Sequence, residues 1–149
     1  MAKVQKPSAK LQALNIFVGK WITRGTVHAA GGKPSSEMRA VDAYEWLPGQ
    51  FFMLHRVDAN MDGMAAQSIE VMGYDAGRGC YVTRSYDDQG LSAEFTARLD
   101  GQSWEIDGAT MRFRGAFSDD SGTLSGTWEQ RSDDGKWTPW IDIELRKVT

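Results

Sequence analysis

Between residues 40 and 145 apolar and polar side chains alternate in short runs, broken by clusters of Gly, Asp, Ser and Pro. Alternation with a period of two marks a strand with one face on a core and the other in water. Runs of this kind occupy residues 21–29, 38–46, 51–57, 68–74, 79–86, 91–99, 102–106, 109–117, 123–131 and 137–147. Ahead of them Leu11, Leu14, Phe17 and Val18 recur at helical spacing behind Ser8, a residue suited to an N-cap. They predict one short helix, stopped by Gly19 and too short to stand without the sheet. Short strands at close intervals predict an all-β, up-and-down antiparallel architecture. Leu47-Pro48-Gly49-Gln50 reads as a type II turn. The connections at 30–36 and 58–67 are the long ones; both are expected at a mouth, the second as a lid.

The faces of successive strands can be matched through their turns. About Asp100-Gly101, Leu99 faces Gln102, Ala97 faces Trp104 and Phe95 faces Ile106. About Asp120-Ser121, Phe117 faces Leu124, Gly115 faces Gly126 and Phe113 faces Trp128. About Asp133-Asp134, Gln130 faces Trp137, Gly126 faces Ile141 and Leu124 faces Ile143. About Ala76-Gly77, Val71 faces Val82 and Ile69 faces Arg84. The opposite face carries Glu94, Arg98, Arg112, Arg114, Glu129, Arg131, Asp142, Glu144 and Arg146, a surface for water. A sheet apolar on one continuous side must cover that side, and closing into a barrel of about ten strands does so. Eight strands nearly fill their own interior; ten leave more room for a small molecule.

Composition narrows the function. A chain of 149 residues with net charge −3 fits a single domain, 1–149. It holds no basic block, so nucleic acid is not expected as a partner. No apolar run has the length of a membrane span, and the first ten residues are polar, which predicts a cytoplasmic protein with no membrane partner. Cys80, the lone cysteine, excludes an internal disulfide and a thiolate zinc site. Asp58, Asn60 and Asp62 before Gly63 suggest a calcium loop, but the twelfth position is Ile69 rather than Glu. No phosphate loop or nucleophile elbow is present, and neither metal nor cofactor is expected.

The candidate chemistry is internal. If Leu47 faces Gln50, then Trp46 faces Phe51, Tyr44 faces Met53 and Asp42 faces His55. Cross-strand neighbours come within roughly 5 Å at Cβ, so a carboxylate–imidazole hydrogen bond is in reach. Burial lowers a histidine pKa and a carboxylate raises it, leaving a proton held near neutrality. Such a pair orients a ligand, serves as a general base, or merely satisfies itself inside the core. Arg84, Tyr86 and Gln130 share the inward parity, and Arg84 suits a ligand carboxylate. Trp21, Trp104, Trp128 and Trp137 fill the core or form a stacking wall. His28 falls on the outer face. Phe52, Leu54, Met72, Tyr74 and Tyr81 form an outer apolar patch, covered by the helix or by a second copy in a homodimer.

Leu14-x-x-Phe17-Val18-Gly19-Lys20-Trp21, then Tyr44-x-Trp46-x-x-Gly49-x-Phe51-Phe52, then Gly73-Tyr74-Asp75 resemble a bacterial family of unknown function, DUF1579. The Gly-x-Trp start is similar to that of the calycin superfamily of lipocalins, fatty-acid-binding proteins and nitrobindins. The resemblance covers the first half of the chain and implies a closed, lipocalin-like barrel with a helix near one end. It implies no ligand. The late-strand histidine that holds haem in nitrobindins has no counterpart in residues 137–149.

These readings predict a cavity that binds a small, partly apolar molecule, with an anionic group on it as one option. Its lining is expected to include Trp21, Asp42, Tyr44, Met53, His55, Arg84, Phe95 and Trp128. Two alternatives stay open: an enzyme using Asp42–His55 as an acid–base pair, and a filled barrel that works through its outer surface.

Overall fold

A computed structural model describes residues 5–29 and 35–149. Ten antiparallel strands follow one another around a closed barrel: β1 (Gly19–Val27), β2 (Ser36–Trp46), β3 (Met53–Met61), β4 (Met64–Asp75), β5 (Cys80–Asp87), β6 (Ser92–Asp100), β7 (Ser103–Asp107), β8 (Met111–Phe117), β9 (Thr123–Arg131) and β10 (Trp137–Lys147). Closure is made by β1, which pairs with both β2 and β10. Among the described residues no sheet edge is left running the length of the barrel, so the ladder closes on itself.

The N-terminal segment plugs one end. Ser8 caps a single α-helical turn, α1 (Ala9–Gln12), by accepting the Leu11 N–H, and a 3₁₀ turn over Ala13–Phe17 continues it. Leu11, Leu14 and Phe17 are buried. The Phe17 ring lies 5.0 Å from Tyr44, 4.9 Å from Trp104 and 5.2 Å from Phe117, centroid to centroid. Polar contacts tie the plug to the wall. Trp21 Nε1 donates to the Phe17 carbonyl at 2.8 Å, Trp46 Nε1 to Asn15 Oδ1 at 2.7 Å, and Lys147 Nζ to the Ile16 carbonyl at 2.9 Å. Gly19 turns out of the plug at φ 132°, and a Cβ there would lie 2.2 Å from the Thr149 carbonyl oxygen.

On β6 to β9 the faces agree with expectation, and one register differs in detail. The β8–β9 hairpin pairs Phe117 with Leu124, Gly115 with Gly126 and Phe113 with Trp128, as expected. In the β6–β7 hairpin Leu99 pairs with Trp104 and Ala97 with Ile106, a shift of two residues that leaves each face unchanged. Arg112 and Glu129 pair at 2.9 Å on the outer wall, and Arg114 pairs with Asp107 at 2.6 Å.

Four expectations are corrected. The 58–67 segment is not a lid: it is the end of a long hairpin, with Asp62 (φ 53°) and Gly63 (φ 83°) as its two-residue turn. Both central residues are left-handed, the conformation that matches strand twist. The 30–36 connection, expected at the mouth, has residues 30–34 outside the described part of the chain. On β4 and β5 the inner face is the opposite one. Glu70, Met72, Tyr81 and Thr83 point in; Val71 and Arg84 pair on the outer wall. The outer patch therefore does not form as expected: Met72 and Tyr81 are buried, Tyr74 packs on Tyr81 at 5.2 Å, and only Phe52 is exposed. The proposed dimer surface loses its basis with it. Both faces of these strands carry apolar residues, so alternation does not tell inside from outside there. Finally, an irregularity between Pro139 and Ile141 flips the start of β10. Trp137 turns outward, its ring 4.3 Å from the Arg112 guanidinium, and Trp140 turns to the interior instead.

Candidate ligand-binding site

Above the plug the barrel holds a cavity of about 670 Å³, within the usual range for small-molecule sites. Its floor includes Phe17, Tyr44 and Trp104; its walls include Met38, Val57, Phe95, Phe113, Trp128 and Ile143; Tyr86 and Leu91 are at the rim. Gly115 and Gly126 sit opposite each other on β8 and β9 and leave room for the Phe113 ring, which a Cβ at either position would meet at about 2.6 Å. The small pair thus lets a large ring lie flat against the wall and shapes the space above it.

One connected polar cluster interrupts this apolar lining. The six-residue loop from Leu47 to Phe52 sets its geometry. The type II turn is present, with Gln50 N–H donating to the Leu47 carbonyl at 2.9 Å and Gly49 at φ 92°, but Gln50 (φ 62°) and the two phenylalanines extend the loop. Pairing consequently starts at Trp46–Met53, and His55 lies opposite Tyr44 rather than Asp42. The parity is kept, so Asp42 and His55 meet on the diagonal. His55 Nε2 is 2.6 Å from Asp42 Oδ1, and His55 Nδ1 is 3.0 Å from Glu70 Oε1 across the β3–β4 pair. Thr23 on β1 donates to Asp42 Oδ2. The Tyr44 ring stacks on the imidazole at 3.9 Å and 11°.

Both imidazole nitrogens therefore face carboxylate oxygens, which only accept. The arrangement fits an imidazolium donating in both directions. Burial opposes that charge, but the hydrogen bonds and negative charges of Asp42 and Glu70 more than offset it, raising the His55 pKa from 6.5 to about 9. Burial, with Asp42 and then Glu70 adding to it, also pushes the Tyr44 phenol well above its ordinary value. Thr83, fully buried on the same inner wall, has a hydroxyl without a partner among the described residues.

Of the residues the sequence nominates, Asp42, Tyr44, His55, Phe95 and Trp128 line the cavity. Trp21 and Met53 are fully buried beside the plug rather than in the lining. Arg84 is not in the interior: it lies on the outer wall with its Nε 3.8 Å from Glu94. Tyr86, 47% exposed, reaches only the rim, and Gln130 is exposed at the mouth end. Glu70 is the member of the inner cluster that sequence reasoning missed. Its position two residues before Met72 and four before Tyr74 was available, once those two are taken as inward. His28, as expected, is on the outside, 2.9 Å from Asp142. Among the described residues no group of three His, Cys, Asp or Glu side chains is placed to hold a metal ion.

The model of a protein family of unknown function, DUF1579, matches residues 6–147. The chain belongs to the DUF1579 family. No curated protein matches it in sequence. Among solved structures, Rv2717c from M. tuberculosis is 16% identical with a TM-score of 0.71, the match covering 97% of this chain and all of that one (100%). A de novo designed fluorescence-activating β-barrel is 14% identical with a TM-score of 0.50, over 91% of this chain and 97% of the design. The S-type phycobiliprotein lyase CPES of Guillardia theta is 9% identical with a TM-score of 0.55, over 95% of this chain and 94% of that one. At such identities the likeness establishes a shared barrel. This DUF1579 chain keeps the barrel, and its Asp42–His55–Glu70 cluster is read from its own side chains.

Proposed function

We propose that the protein binds a small, mainly apolar molecule inside the barrel, with the molecule's polar end at Asp42, His55 and Glu70. One observation carries the reading: a cavity of about 670 Å³ with apolar walls and one connected polar cluster. A few convergent polar groups in an apolar pocket are what orients a ligand. Tyr44, Phe95 and Trp128 supply the aromatic wall. That two structural neighbours are a fluorescence-activating barrel and a phycobiliprotein lyase is compatible with it. The cavity speaks against a solidly filled barrel. The catalytic alternative is weaker on geometry, since an imidazole donating from both nitrogens has no lone pair to take a substrate proton.

The test is a titration with Nile red, a neutral apolar fluorophore. Saturable, blue-shifted emission is expected from the unaltered protein. Ala59→Phe places a ring in the lining without touching the cluster and is expected to abolish the signal. No saturable binding by the unaltered protein would refute the reading.

A further inference from the structure

The polar part of the interior is acidic. Asp42 and Glu70 line the cavity, with the exposed Asp87 at its rim, and among the described lining residues His55 is the one group that can carry positive charge. Asp42 is fully engaged: Oδ1 takes the His55 Nε2 proton and Oδ2 takes the Thr23 hydroxyl. Glu70 is half engaged. Its Oε1 takes the His55 Nδ1 proton, and its Oε2 accepts from none of the described residues. The cluster keeps a net negative charge even with His55 protonated, because two carboxylates flank one imidazolium. Its side chains are largely removed from water, at 8% exposure for Asp42, 12% for His55 and 18% for Glu70. In that setting a free acceptor oxygen favours a donor that brings positive charge, and a carboxylate would be repelled. The side chain expected to attract an anion, Arg84, is outside. Phe95 and Trp128, 6.3 Å apart, add ring faces that attract cations.

We propose that the ligand is a hydrophobic amine or related nitrogen cation, its N–H donating to Glu70 Oε2 and its apolar body lying against Phe95 and Trp128. This rests on the reading that the cavity binds a small molecule, and the experiment separates the two. Three probes share a 1-naphthylmethyl body: 1-naphthylmethylamine, 1-naphthylmethanol and 1-naphthylacetate. Their affinities are measured by titration calorimetry at pH 7 on the unaltered protein and on Glu70→Gln. The amine is expected to bind at least about tenfold tighter than the alcohol, a gain of roughly 1.4 kcal/mol, and the acetate most weakly. Glu70→Gln is expected to bring the amine down to the alcohol's affinity. An acetate or alcohol that matches the amine overturns the proposal, as does an amine advantage that survives Glu70→Gln. The three-probe comparison decides the point on the unaltered protein alone should that variant fold poorly. Nile red binding without any naphthyl probe binding overturns the cation but leaves the cavity reading; failure of all four overturns both.

Discussion

Raising the pH from 6.5 to 9 should destabilise this protein, and the cause should be His55. In the unfolded chain an imidazole titrates near 6.5; in the folded barrel, held between Asp42 and Glu70, it titrates at about 9. A raised folded pKa means that the folded state binds the proton more tightly. The contribution is therefore fully present below pH 6.5 and lost as pH rises through 9. Between those values the unfolded state has released the proton while the folded state keeps it, and stability falls by about 1.4 kcal/mol per pH unit. The window is 2.5 units wide, so the total is roughly 3 kcal/mol, a large share of the stability of a small domain. Urea denaturation at a series of pH values from 6 to 10 measures the loss. Proton NMR of the two histidine Hε1 resonances, assigned with His28→Gln, locates the titration. A His55 resonance that titrates at or below pH 6.5, or stability that stays level from pH 6.5 to 9, would refute the charged-cluster reasoning. The Tyr44 phenol, also raised, continues the trend with the same sign at still higher pH.

Removing the imidazole has a separate signature. His55→Gln leaves two buried carboxylates without their shared cation and is expected to cost about 3–5 kcal/mol at pH 7; His28→Gln, at an exposed pair with Asp142, should change stability by less than about 0.5 kcal/mol. Urea midpoints of the two variants check this, and equal losses would contradict it. Gly126→Ala puts a Cβ 2.4 Å from the Arg114 carbonyl oxygen and is expected to cost about 1–3 kcal/mol or more. Gly77→Ala, in ordinary contact at 3.4 Å from Asp75, is expected to be near neutral by the same assay. Phe17→Ala removes the ring that joins Tyr44, Trp104 and Phe117, and should lower the denaturation free energy by about 3–5 kcal/mol. A loss below about 1 kcal/mol would mean that the plug does not seal the core.

Local chemistry was enough for the strands, for the short capped helix and for the water face with Arg112, Arg114 and Glu129. These follow from side-chain period and from turn residues, which act within a few positions of the chain. The Asp42–His55 hydrogen bond was also legible, although the expected register was not. The loop after Leu47 is two residues longer than a tight turn, and an even shift slides partners along the strand without moving any side chain through the sheet. The partners of that pair were a different matter. Glu70 and Arg84 exchanged places between inside and outside because β4 and β5 carry apolar residues on both faces, Met72 and Tyr81 on one, Val71 and Val82 on the other. Period alone is symmetric between the two faces, and closure decides between them. Once β1 pairs with β10, the inner wall must have room for the Phe17 plug and the outer wall must meet water. The irregularity at Pro139 likewise shows only in three dimensions, where one extra residue turns Trp137 out and Trp140 in. Which residues alternate is written in the chain; which half of each alternation faces the cavity follows from the closed barrel, because only closure distinguishes a concave side from a convex one.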